Sequence, residues 1–160
     1  MASGSWNASS GGTGQFGTHN GTHSAQMSFR PNIPRGASVS SAYVRFSSTG
    51  NSIRSSTGVS IQVSGGGTSA TVGWSYEEPW VSGGDYLSPS IASALNTIVN
   101  SSGWSSGGTI SITISQSSAD PLYSLHMFTY ARMQADWVVL PTCNITADVT
   151  TIEVGDSTWL

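Results

Sequence analysis

The chain has no lysine: its five basic residues are all arginine, and against eight Asp and Glu they leave a formal net charge of -3 over 160 residues. Charged residues make up only 8% of the sequence, too few to build the basic face with which a protein displaces counterions from phosphate. Binding to DNA or RNA is therefore not expected. The single cysteine, Cys143, excludes an intrachain disulfide and a cysteine-based zinc site. No stretch approaches the roughly 20 apolar residues of a membrane-spanning helix. The start, Met1-Ala2-Ser3-Gly4-Ser5, lacks both the basic and the apolar regions of a signal peptide. These absences lead to the expectation of a protein made in the cytoplasm, with no membrane partner.

What the chain has instead is small residues: Ser, Thr and Gly fill 67 of its 160 positions. It also carries fifteen aromatic residues, six of them Trp, which sets it apart from the aromatic-poor, highly charged composition of disordered chains. The length suits one domain with a core of its own.

Residues 1–23 are Gly, Ser, Thr and Asn with only Trp6 and Phe16 as large apolar groups, and they show no period of 2 or 3.6. Such a segment cannot repay its ordering entropy alone and reads as a flexible N-terminal arm. Alternation begins at Ala25, Met27 and Phe29, the mark of a half-buried strand. After the turn Pro31-Asn32-Ile33-Pro34-Arg35-Gly36, a second strand has Val39, Ala42, Val44 and Phe46 as its inward set, with Tyr43 and Arg45 facing away. Val59, Ile61 and Val63, then Gly65-Gly66-Gly67, then Ala70, Val72 and Trp74 form a hairpin signal. The glycines do not form a phosphate loop, since no Gly-Lys-Ser/Thr follows and the next element is a strand. Ser88 as N-cap, Pro89 in the first turn, Ile91, Leu95, Ile98 and Val99 on one face and Gly103 beyond the end predict one short helix. Ile110, Ile112 and Ile114 give another strand, and Leu122 to Met133 and Trp137 to Leu140 two more. The expected fold is all-β: an antiparallel sandwich of jelly-roll type over residues 24–140, with a C-terminal extension or extra strand over residues 141–160.

The run Ile33-Pro34-Arg35-Gly36-Ala37-Ser38-Val39-Ser40-Ser41-Ala42-Tyr43-Val44-Arg45-Phe46 resembles the "IP.GA.I..A.L.F" signature of the DNRLRE-type β-sandwich modules, which are similar to carbohydrate-binding modules. Met27-Ser28-Phe29-Arg30 holds the place of the strand that precedes the motif in that family. Looser likeness runs through Val72-Gly73-Trp74, Trp80, Ser88-Pro89-Ser90-Ile91 and Gly103-Trp104-Ser105-Ser106-Gly107. The resemblance implies a sandwich over residues 24–140 and allows a glycan ligand. The acidic and arginine residues that name the family near its N-terminus are replaced here by the Gly/Ser-rich arm.

Catalysis is not expected. His19 and His23 are spaced as helical metal ligands would be, but Asn20-Gly21-Thr22 breaks a helix. His126 with Asp120 or Asp136 and a serine can be drawn as a triad, yet there is no Gly-x-Ser-x-Gly elbow and serine is everywhere. Glu77 and Glu78 point to opposite faces of a strand and cannot act as an acid and base pair across one bond, although Asp85 could partner one of them in space. No cofactor is expected. Calcium is the minor alternative, but Asp85, Asp120, Asp136, Asp148 and Asp156 stand singly. Trp74, Trp104 and Trp137 read as core. Trp80 and Tyr86 flank a Pro79 and Gly83-Gly84 loop where aromatic rings could stack on a sugar, although packing within the fold is the commoner role for such rings. Trp6, Phe16, Trp159 and Leu160 lie in the terminal segments, where a partner would bury them and make them inter-subunit anchors.

The expected function is that of a structural bacteriophage virion protein, either a capsid decoration (cement) protein or a tail or fibre component. Its partners would be other virion proteins such as the major capsid protein, and copies of itself. The alternative is a carbohydrate-binding module that takes polysaccharide on Trp80 and Tyr86.

Overall fold

A computed structural model describes residues 2–18, 22–50, 56–76, 79–116 and 126–141. Where apolar residues alternate, strands form, and the chain order is β1 (Ala2–Thr18), β2 (Thr22–Phe29), β3 (Ser38–Ser48), β4 (Ser56–Gly65), β5 (Thr68–Tyr76), β6 (Asp85–Leu87), α1 (Ala92–Val99), β7 (Ile110–Gln116) and β8 (His126–Val139). The first four strands pair with the last four in nested antiparallel order: β4 with β5, β3 with β6, β2 with β7 and β1 with β8. This long ribbon is folded so that alternate pairs fall in opposite sheets, and β3·β8 and β4·β7 contacts complete each sheet. One sheet is therefore β1-β8-β3-β6 and the other β2-β7-β4-β5. They join at a corner where β1 and β2 share only Gly17↔His23 and Thr18↔Thr22. That connectivity is a jelly roll, the sandwich the alternation predicted.

Apolar side chains from both sheets meet between them. Ala25, Met27 and Phe29 of β2, Val59, Ile61 and Val63 of β4, and Ile110, Ile112 and Ile114 of β7 are all buried. From the other sheet come Val39, Ala42, Val44 and Phe46 of β3 and Ala131, Met133 and Ala135 of β8. Each such side chain, removed from water, stabilises the fold by about 1.5–3 kcal/mol for the larger ones. Val39 and Ala42 are three apart, which a regular strand would send to opposite faces. A bulge between Val39 and Ser41 opposite β8 absorbs the extra residue and turns both inward. The hairpin loop is Gly66-Gly67, with φ of 54° and 76°, a pair of positive values that suits the twist of a two-residue hairpin and that glycine adopts freely. Behind it, a Cβ on Gly103 would sit 2.3 Å from the Gly66 carbonyl oxygen, so the turn seats directly on the chain that leaves α1.

Several features differ from the sequence reading. Residues 2–18 are a strand rather than an arm, paired with β8 from Ala2↔Val139 to Phe16↔His126. A ladder is made of backbone groups, so a Gly/Ser-rich stretch joins one without any alternation to announce it. The two expected strands after residue 122 are, where described, one continuous β8. Ser88 does not cap the helix: its Oγ accepts the Val44 N–H at 2.9 Å and α1 begins four residues later, behind Ile91. Ser88 and Ile91 donate their own N–H groups to Val44 and Ala42 of β3, so this segment continues the sheet past the short β6 before it coils. The C-terminal extension, residues 142–160, lies outside the described residues.

Candidate functional site

Aromatic rings gather at one end of the sandwich. Phe16 of β1, Phe46 of β3, Trp74 of β5 and Phe128 of β8 converge with Trp80 and His126, with ring centroids 5.1–6.4 Å apart. Trp80 is 1% exposed. Its face is covered by Tyr86, stacked at 4.5 Å and 5°, and its edge meets Phe16 at 5.5 Å. Tyr86 is in turn held by the Val81 N–H, which donates to its Oη at 2.7 Å. Of the two readings of this pair, packing and a sugar platform, the geometry has the first: the side of Trp80 that could receive a pyranose ring is already occupied by Tyr86.

Phe16, expected as an anchor for another subunit, is 0% exposed and stacked on His126 at 5.2 Å. Its apolar surface is covered within the chain. Trp6 lies in β1 opposite Ala135. Trp159 and Leu160 lie outside the described residues, as do His19, Glu77, Glu78, Asp120, Asp148 and Asp156.

Among the described residues, the candidate catalytic and metal residues do not converge. His126 is buried in the aromatic cluster, while Asp136 lies ten residues along the same strand, roughly 30 Å away at strand rise, and accepts the Ser41 hydroxyl at 2.6 Å. His23 meets Gln15, with Nε2 and Nδ1 at 3.1 Å. Asp85 lies 3.7 Å from Arg45. Among the described residues no three His, Cys, Asp or Glu come together as metal ligands. No described helix is long and apolar enough to cross a membrane.

Two surface features remain. The first is the outer edge of β1. This strand of 17 residues has β8 on one side from Ala2 to Phe16, and among the described residues no strand pairs with the other side over that span. It has neither charge nor proline, two of the devices that keep an edge from pairing with another chain, and it carries one irregularity of register, between Gly11 and Gly14. The second is a groove of about 360 Å³ on the outward face of β3, β6 and β8, lined by Ser41, Tyr43, Arg45, Leu87, Arg132 and Gln134. Arg45 and Arg132 are register partners across β3 and β8. The sequence showed Tyr43 and Arg45 facing out, but nothing in it places Arg132 opposite Arg45, because only the long-range pairing does so.

No family model matches the chain, and no curated protein matches it in sequence.

Proposed function

We propose that the chain is a non-catalytic structural protein of a bacteriophage particle, a capsid decoration protein or a fibre or tail component, that binds neighbouring subunits by strand addition to β1. The observation that carries this reading is the long, uncharged, proline-free edge of β1, paired on one side only among the described residues. Added strands bind through backbone hydrogen bonds and need few charged side chains, which agrees with a surface so poor in charge. Jelly rolls recur in viral capsid and lectin domains. The fold therefore accommodates the reading without deciding it.

The binding element is the rim of a folded sheet, and Phe16 ties its inner end into the core. Lysine on an edge strand blocks pairing, so Ser3→Lys with Asn7→Lys, at positions opposite Val138 and Gln134, is the direct test. Sedimentation velocity should show the unmodified chain assembling and the double variant monomeric, with matching far-ultraviolet spectra. A monomeric parent chain, or a variant that assembles equally well, contradicts the reading. A coding region flanked by capsid, portal or tail genes supports the particle assignment, and one beside a secreted hydrolase contradicts it.

A further inference from the structure

The outward face of β3, β6 and β8 carries two cations where a stable sheet has no use for them. Arg45 and Arg132 face each other directly, and like charges in that relation are destabilising. Of the five arginines in the chain, two thus occupy one cross-strand pair. Arg45 has a loose ion pair with Asp85 at 3.7 Å, both side chains being about half exposed. The Arg132 side chain has no ion pair or hydrogen bond among the described residues, its backbone being held in the ladders of β8. The pair is offset along the strands by Tyr43, 38% exposed, and Gln134, which are themselves partners. Beyond them, Ser41 already donates to Asp136 and keeps its acceptor lone pairs.

We propose that this groove binds an acidic polysaccharide through the carboxylates of its uronic acid residues. Arg132, with Arg45, receives the carboxylate, for which a guanidinium fork is the matching donor. The Tyr43 ring supports a face of the sugar, and Gln134 and Ser41 meet its hydroxyls. The groove lies at the small end of the range for ligand sites, the scale of a short saccharide rather than a protein interface. An extended acidic peptide fits less well: it gains affinity by pairing its backbone with a sheet edge, and here the backbone groups of β3 are already taken by β8 and β6. Nucleic acid is disfavoured by a chain with net charge -3 and only two cations at the site. The site is independent of the β1 edge and needs no assembly.

Calorimetric titration of the full chain with a short oligogalacturonate, its methyl ester and an oligoglutamate peptide tests the assignment. The free acid should bind, with the ester and the peptide each about tenfold weaker or worse. Arg132→Gln should weaken binding of the acid by about tenfold, the scale of one charge-assisted hydrogen bond. Asp85→Asn should tighten it severalfold, because it removes the anion that competes for Arg45 while leaving an acceptor for the Ser47 hydroxyl, now 2.7 Å from Asp85 Oδ1. Absence of oligogalacturonate binding, equal affinity for ester or peptide, an Arg132→Gln variant that binds as the parent does, or an Asp85→Asn variant that gains nothing would each overturn the proposal.

Discussion

Trp80 is buried at 1% exposure, while Tyr43 stands 38% exposed on the outer face of β3. Trp80 follows a proline in a loop with no periodicity, so local sequence alone does not say what it packs against; its partners Phe16, Tyr86 and His126 come from three separate strands. Tyr43 reads as outward by simple alternation, and it is outward. Truncating the first should cost what a buried indole contributes, about 3–5 kcal/mol, whereas Tyr43→Ala should change stability by less than about 0.5 kcal/mol. Urea unfolding of the two variants checks this, and a Trp80→Ala protein as stable as the parent would contradict the buried placement. The inward sets of β2, β3, β4 and β7 were legible residue by residue because burial on one face imposes a period of two. The facing of Arg45 by Arg132 was not, since it depends on which strands pair.

At the scale of elements, α1 shows where local signals stop short. Leu95, Ile98 and Val99 of its buried face were legible as a 3.6 period, but its start was not. Ser88 and Pro89 have the look of a helix entrance, yet the demand for hydrogen bonds along the uncovered part of β3 draws Ser88 and Ile91 into the sheet instead. Asn96, on the polar side of the helix, completes that task. Its Oδ1 accepts the Val39 N–H at 2.8 Å and its Nδ2 donates to the Val39 carbonyl at 2.9 Å, standing in for a strand partner at the bulge. Asn96→Ala leaves both part-buried groups without a partner and should destabilise the protein by about 1–3 kcal/mol. A loss below about 0.5 kcal/mol on chemical denaturation would show that water serves Val39 equally well. β1 and the three-residue β6 are the strands that sequence reading missed; pairing with β8 recruits the backbone of β1 and requires no apolar alternation.

For the whole molecule, the nested pairing of strands has one consequence that no single element reveals. The jelly roll closes its first strand against its last, and that places β1 at the rim of one sheet with β8 inside it. A composition dominated by Ser, Thr and Gly serves the outward half of the strands and the turns, and along β1 it leaves an edge without charge or proline. Strand addition at that edge is the central claim, and hydrogen exchange resolved by residue tests it most directly. In an antiparallel ladder every second amide of an edge strand points away from its partner, so in the unassembled chain alternate β1 amides between Ala2 and Gly11, where the register with β8 is regular, should exchange fast while their neighbours, bonded to β8, are protected. In assembled material those alternate amides should become protected too, while the edge of β5 stays unchanged. Alternate β1 amides that exchange as fast after assembly as before it would contradict the account.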